Sequence, residues 1–265
     1  MPEDVATSPR PTGALHRVTS GQGEMRLVWL HGWGQDHRAF VKLAGLFDRA
    51  ATNRLYDLPG FGASPPLSPD AGTEEYADAL ARELDADGGG PAVLIGHSYG
   101  GRVAVQLAAR RPELVSALVL IAGAGIPRDR SVAWTLRARS LRLLGRAARA
   151  CDRLFGTHLR DAYVQRFGSA DYRTAGVLRT TLVKAVNENL TGVAARVRRP
   201  VLLIYGAEDT ETPPQVGEKF AAALPRATLK LLPGYGHWDI QSRGAHQCQT
   251  LITRFLEALP GDGRD

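Results

Sequence analysis

The chain contains little sulfur and no long apolar segment. Its 265 residues include only two cysteines and two methionines. Two cysteines cannot build a disulfide framework, so we expect Cys151 and Cys248 to be free thiols of a cytoplasmic protein. No apolar run approaches the roughly 20 residues that cross a bilayer, which predicts no stable membrane insertion. Residues 1–13 combine acidic residues and prolines without an apolar core, and they predict a loose tail rather than a signal peptide.

Charge is spread unevenly along the chain. Lys and Arg together number 33 and Asp and Glu 27, for a formal net charge of +6. Residues 127–200 contain 15 Arg and one Lys against four Asp and one Glu, so the remainder of the chain is acidic. Uniform basicity would favour a nucleic-acid partner, but here the excess is confined to one segment and no recognition motif accompanies it. We therefore predict no nucleic-acid partner.

Short apolar runs alternate with stretches of helical spacing. The predicted strands, each followed by a turn, are Arg26–Leu30, Asn53–Asp57, Ala92–Ile95, Ala117–Ile121, Val201–Tyr205 and Ala227–Leu232. The predicted helices between and after them are Ala39–Phe47, Thr73–Asp85, Gly101–Arg111, Pro213–Leu224 and Gln247–Leu259. Such alternation is typical of an α/β protein with a parallel sheet covered by helices on both faces. Ligand sites on these sheets lie beyond the carboxyl ends of the strands.

Residues 127–199 interrupt this alternation. Helical patterns dominate there, which predicts a helical insertion between the two parts of one core domain, residues 1–126 and 200–265. Its clearest helix is Ser131–Phe155. One side of that helix carries Leu136, Leu143, Ala147, Cys151 and Leu154, and another side carries Arg139, Arg142, Arg146, Arg149 and Arg153. This pattern predicts an amphipathic helix. A solvated arginine face is favoured, and steering of anionic substrates or contact with anionic lipid are the alternatives.

A candidate nucleophile lies between a predicted strand and a predicted helix. Residues 96–100 read GHSYG and match the G-x-S-x-G pattern, directly after the strand AVLI and before GRVAVQLAARR. In this setting the serine lies on a sharp turn, and glycines at positions 96, 100 and 101 leave room for it. Ser98 would then lie at the positive end of the following helix, which favours a developing oxyanion.

The sequence as a whole resembles α/β-hydrolase-fold enzymes. The segments HGWG, DLPGFGAS, GHSYGGRVAVQLAARRPELVSALVLIAG, LLIYGAEDTETP and GYGHW follow in that family's order and spacing. HGWG and DLPGFG are also similar to segments of the small carboxylesterases of biotin synthesis. The resemblance covers residues 15–259. It implies a mostly parallel central sheet flanked by helices, with a helical cap inserted after the strand Ala117–Ile121.

A serine hydroxyl needs a histidine to take its proton and a carboxylate to orient that histidine. In this fold the three residues follow in the order Ser, acid, His. His237 lies after the last predicted strand and before the last predicted helix, where the base is expected. Asp209 follows the strand before that and matches the family's acid position, with the neighbouring Glu208 as the alternative.

An oxyanion hole requires two backbone N–H donors. One is expected from Tyr99, the residue after the nucleophile, and the resemblance assigns the other to Trp33 in the HGWG loop. We expect His31 to brace that loop rather than to react, and Asp57 to be a structural hydrogen-bond acceptor. The predicted substrate-binding side chains are Trp33, Tyr99, Trp134 and Trp238. Further candidates for cap or pocket positions are Leu136, Phe155, Tyr163, Phe167 and Leu182.

No metal or cofactor site is predicted. His31 and His37 lack a partner at ligand spacing. HGWGQDH does not supply a dinucleotide fingerprint, and there is no Walker loop. The sequence is compatible with a monomer or a homodimer.

Three functions fit these residues. The leading hypothesis is a serine esterase that cleaves a small carboxylic ester through an acyl-enzyme on Ser98. A hydrolase of C–C bonds in β-diketones or dienoic ketones would use the same three residues and is the first alternative, with a ketone in place of the ester substrate. A non-catalytic ligand-binding protein on the same fold is the second. Dehalogenase and epoxide hydrolase chemistry is disfavoured, because those enzymes have an aspartate at the position of Ser98.

Overall fold

The structure is a computed structural model that describes residues 14–88, 90–129, 132–167 and 169–259, without the side chains of residues 132–135, 138 and 142. Its strands are β1 (Arg17–Ser20), β2 (Met25–Leu30), β3 (Ala51–Tyr56), β4 (Ala92–His97), β5 (Val115–Ile121), β6 (Val201–Gly206) and β7 (Ala227–Leu232). Its α-helices are α1 (Val41–Gly45), α2 (Thr73–Ala86), α3 (Tyr99–Arg110), α4 (Val132–Phe155), α5 (Leu159–Phe167), α6 (Ala170–Thr174), α7 (Arg179–Asn187), α8 (Thr191–Ala194), α9 (Pro214–Ala223) and α10 (Ala245–Glu257). Short 3₁₀ turns cover His37–Phe40, Pro112–Leu114 and Gly176–Leu178.

The seven strands form one sheet in the order β1-β3-β2-β4-β5-β6-β7. All neighbouring pairs are parallel except β1 and β3. The mostly parallel sheet predicted from the alternating pattern is confirmed. The antiparallel strand β1 was not predicted, because a four-residue edge strand with exposed central residues has no apolar run to mark it.

Helices cover both faces of the sheet. Side chains of α2, α3, α8 and α9 pack with one face, and those of α1 and α10 pack with the other. Strands β4 and β6 are buried along their whole length, which explains their unbroken apolar sequences. Because β4, β5 and β6 are neighbouring parallel strands, their carboxyl ends lie side by side at the same end of the sheet.

Five helices, α4 to α8, lie between β5 and β6. The long helix α4 packs mainly on α5, and the groove between them is lined by residues such as Leu144, Ala148 and Phe167. Leu136, Leu143 and Leu154 were predicted on the apolar side, but they are 58%, 63% and 75% exposed. The predicted apolar side is therefore only partly covered, because α5 contacts a narrower strip of the helix that includes Ala147 and Cys151. The arginines at 139, 146, 149 and 153 are exposed as well.

Asp57 joins three loops beneath the edge of the sheet. Its carboxylate accepts the backbone N–H groups of His37 and Ala63, at 2.7 and 2.9 Å. It also accepts the Nδ1–H of His37 and of His16, at 2.8 and 2.9 Å. Burial would raise the pKa of Asp57, but these donors outweigh it and hold that pKa below its ordinary value. Asp57 is thus a structural hydrogen-bond acceptor.

His16, His37 and Asp57 are also residue types that bind metal ions, and they lie within ligand distance of each other. Spacing along the sequence did not indicate a partner for His37, because the fold brings His16 and Asp57 to it from other segments. The four N–H donors already occupy the four lone-pair directions of the carboxylate. The arrangement is therefore satisfied by hydrogen bonds alone.

Replacing Asp57 by Asn should destabilise the protein by about 2–4 kcal/mol, because an amide oxygen accepts only about half of the four donors. Urea unfolding of the variant measures the loss of free energy. Asp70→Asn makes the same change on an exposed side chain and should shift stability by less than about 0.5 kcal/mol. Equal stability of the two variants would contradict the role given to Asp57.

Candidate active site

Ser98 lies on a sharp turn between β4 and α3. Its backbone has φ +48° and ψ −107°, a conformation that a non-glycine residue rarely adopts. Three hydrogen bonds fix it: Ser98 N–H donates to the carbonyl of Ile121, and the Ser98 carbonyl accepts from Gly101 and Ala124, each at 3.1 Å. A side chain at position 100 would lie 2.1 Å from the carbonyl oxygen of Leu30, so only glycine fits there.

The structure brings Ser98, His237 and Asp209 together. His237 Nε2 is 3.0 Å from Ser98 Oγ, and His237 Nδ1 is 2.8 Å from Asp209 Oδ2. His237 and Asp209 are buried, whereas Ser98 borders a cleft of about 660 Å³. The alternative acid, Glu208, instead accepts the backbone N–H of Gly234. This geometry suits transfer of the serine proton to His237.

Asp209 is held ionised by its own turn. Its Oδ1 accepts the backbone N–H groups of Glu211 and Thr212, both at 2.8 Å, and the Thr212 hydroxyl lies 2.8 Å from Oδ2. Burial would raise the pKa of Asp209, but hydrogen bonds from His237 and Thr212 keep it below its ordinary value. A carboxylate in this state stabilises positive charge on His237.

His97 supports the loop that carries the base. Its side chain is fully buried and its Nε2–H donates to the backbone carbonyl of His237 at 3.0 Å. The two rings lie 4.9 Å apart. Burial, together with the nearby His237, lowers the pKa of His97 to about 3, so this imidazole is neutral at physiological pH. It therefore orients the His237 backbone without adding a competing charge.

The loop after β2 faces the same cleft. Gln35 Oε1 accepts the N–H of Gly32 at 2.9 Å, and His31 joins this loop to the next by accepting the N–H of Leu58 at 2.9 Å. Among the described residues, none accepts a hydrogen bond from the N–H groups of Trp33 and Tyr99. The Trp33 and Tyr99 rings meet edge to face with centroids 5.2 Å apart. Both residues line the cleft that Ser98 borders.

The predicted substrate-binding residues are only partly assembled in the cleft. Trp33, Tyr99 and Trp238 line it, and Trp238 stacks edge-on against His237. The side chain of Trp134 lies outside the described residues. Among the remaining candidates, Leu182 lines the cleft, Tyr163 and Phe167 line the groove between α4 and α5, and Leu136 and Phe155 are exposed.

Several polar residues of the site were not predicted. Thr212 could have been found as the third residue after Asp209, since an aspartate side chain often bonds the backbone a few residues on. His97, Arg102 and Glu188 could not, because their partners lie 80 or more residues away in the chain. Their roles follow from the packing of the loops and from the position of Glu188, just after α7, against α3.

Comparisons with known proteins agree with this fold and with this site geometry. Residues 26–242 match the model of a family described as alpha/beta hydrolase fold. The chain belongs to the α/β-hydrolase family. It is 33% identical over 235 residues to a pimeloyl-[acyl-carrier protein] methyl ester esterase of Chromobacterium violaceum, covering 83% of this chain and 89% of that one. The enzyme of the same name from Aromatoleum aromaticum is 31% identical, covering 85% and 96%.

Solved structures show the same fold. A thermophilic esterase from Thermogutta terrifontis superposes with a TM-score of 0.68 at 24% identity, over 92% of this chain and 93% of that one. A lipase-like protein from Acinetobacter baumannii gives a TM-score of 0.71 at 18% identity, over 94% and 90%. The family match and the esterase relatives, rather than these structures, place the protein among the ester-hydrolysing α/β hydrolases. Among the described residues, no helix of this hydrolase combines the length and apolarity needed to cross a membrane.

The buried neutral His97 makes the stability of this hydrolase pH-dependent. Its folded-state pKa is about 3, whereas an unfolded histidine titrates near 6.5. The contribution of neutral His97 to the free energy of unfolding is therefore complete above about pH 6.5. It is lost as the pH falls, by about 2 kcal/mol at pH 5. Urea unfolding at pH 7.5 and pH 5 should show this loss, and His97→Gln should reduce it.

The control for that measurement is His246→Gln, which removes an exposed imidazole from α10. It should leave the slope of stability against pH as in the parent protein. A His97→Gln variant with the full parental slope would show that His97 does not titrate on unfolding as its burial requires.

Proposed function

We propose that this hydrolase cleaves a carboxylic ester through an acyl-enzyme on Ser98. The observation that carries the proposal is the continuous hydrogen-bonded series Ser98–His237–Asp209, with distances of 3.0 and 2.8 Å, at the wall of an open cleft. Among the described residues, this is the arrangement in which a nucleophile, a base and an orienting carboxylate meet.

In the proposed first half-reaction, Ser98 Oγ attacks the ester carbonyl while His237 Nε2 takes the serine proton. The N–H groups of Trp33 and Tyr99 stabilise the oxyanion, and Tyr99 begins α3, whose positive end favours the same charge. His237 then gives its proton to the departing alcohol. In the second half-reaction, His237 activates water, which releases the acid and restores Ser98.

We further propose that residues 127–199 form a cap over this site. Val186 and Asn187 of α7 line the cleft that Ser98 borders. The exposed arginines of α4 face solvent beyond it. The relatives act on a methyl ester carried by an acyl carrier protein, and we propose the same class of substrate for this chain. A basic cap suits a carrier protein with an acidic surface.

Ser98→Ala should lower turnover of a p-nitrophenyl ester by about 10⁴-fold or more, since it removes the nucleophile. A fluorophosphonate probe should label the parent protein and not the variant. Ser140→Ala, on the exposed side of α4, should behave as the parent in both assays. Full turnover by Ser98→Ala would refute the acyl-enzyme. Cleavage of a β-diketone without ester hydrolysis would instead favour C–C bond chemistry.

The double variant Arg146→Glu/Arg149→Glu should lower kcat/KM for a methyl ester on acyl carrier protein by roughly tenfold at low salt, because it reverses the charge of the exposed face of α4. Turnover of a small methyl ester should not change. High salt should narrow the difference between variant and parent. An equal loss on both substrates, or no loss on either, would contradict carrier-protein docking on this face.

A further inference from the structure

Arg102 is a cation in the wall of the cleft that the proposed mechanism does not use. It lies in α3 four residues after Ser98, or about 6 Å along the helix axis. Its side chain is 12% exposed and lines the same cleft as Ser98 and His237. Burying a guanidinium beside a reacting serine is costly unless its donors are used.

The partner of Arg102 comes from the segment between β5 and β6. Arg102 Nη1 donates to Glu188 Oε2 at 3.2 Å, just after the end of α7. The other oxygen of Glu188 accepts from the Thr73 hydroxyl and from Gln106 Nε2. Glu188 is thus fixed by α2 and α3, and it fixes the direction of Arg102 in turn.

Most of the donors of Arg102 remain unused. A guanidinium has five N–H groups, and among the described residues Arg102 donates a side-chain hydrogen bond to one acceptor, Glu188. This wall of the cleft can therefore donate hydrogen bonds to a bound molecule.

The charges around Arg102 select the kind of acceptor. Glu188 already neutralises the guanidinium, and Lys219 pairs with Asp129, which leaves Asp171 and Glu211 against Arg128 among the charged residues of the cleft. A free carboxylate would meet this excess of negative charge, whereas a neutral carbonyl oxygen accepts the hydrogen bond without that repulsion. The surroundings favour the neutral acceptor.

We propose that Arg102 is a specificity-determining residue that donates a hydrogen bond to a second, neutral carbonyl oxygen in the acyl chain of the substrate. The inference rests on the proposed ester hydrolysis at Ser98 and narrows its substrate class to esters with an oxygenated acyl chain. An acyl chain that ends in a thioester, as on a carrier protein, has a carbonyl of this kind.

The test compares kcat/KM on methyl heptanoate with that on its 4-, 5- and 6-oxo derivatives, which replace one CH₂ by a carbonyl. The parent enzyme should prefer at least one oxo ester by roughly tenfold, as expected for one hydrogen bond to a charged donor. Arg102→Met should abolish that preference, measured as the ratio of kcat/KM on each oxo ester to kcat/KM on methyl heptanoate in the same variant, so that any general loss of turnover cancels. Arg102→Lys should retain part of the preference.

Arg128→Met is the matched control, since Arg128 lines the cleft but donates to the backbone carbonyl of Thr210; it should keep the full preference. Equal kcat/KM on all four esters in the parent, or an equal preference in Arg102→Met, would overturn the proposal. A stronger preference for monomethyl adipate than for any oxo ester would overturn the choice of a neutral acceptor. Methyl heptanoate turnover and fluorophosphonate labelling of Ser98 report separately on the proposed hydrolysis. Their loss in the parent protein would refute that function and not the binding role alone.

Discussion

The strained backbone of Ser98 is the constraint on which the rest of the site depends. Positive φ at a serine is unfavourable, so neighbouring structure must enforce it. Hydrogen bonds to Ile121 and Ala124 attach the turn to the end of β5, and the close approach of Gly100 to the carbonyl of Leu30 attaches it to β2. Three adjacent strands thus hold one residue. Because these strands are buried and parallel, the turn cannot relax without disturbing the core.

Polar groups near Ser98 are arranged so that charge exists only where it is needed. Asp209 is kept ionised by its turn and by His237. His97, one residue from the nucleophile, is kept neutral by burial and donates to the His237 backbone instead. A second charged imidazole there would oppose protonation of His237. Burial therefore gives two neighbouring histidines different tasks, one in proton transfer and one in support of the loop.

The core is more deeply buried than the segment between β5 and β6. The core buries complete strands between two layers of helices, whereas α4 rests mainly on α5 and exposes several leucines. Glu188 is one of the points at which this segment is anchored to the core, through Thr73, Arg102 and Gln106. The anchor lies in the cleft wall, so the position of the segment and the shape of the cleft are set together. The basic charge of the chain is concentrated in this loosely packed part and says little about the chemistry at Ser98.

The sequence by itself determined the sheet, the helices that flank it and the order of Ser98, Asp209 and His237. Apolar runs of five or six residues report burial directly, and the glycines around Ser98 report a turn that larger residues cannot form. The edge strand β1, the exposed leucines of α4, the His16–His37–Asp57 cluster and the Arg102–Glu188 pair were decided by the tertiary structure. Each depends on which distant segment packs against it. Local pattern carries no information on such pairings, because their partners are separated by tens of residues and are chosen by the packing of the whole chain.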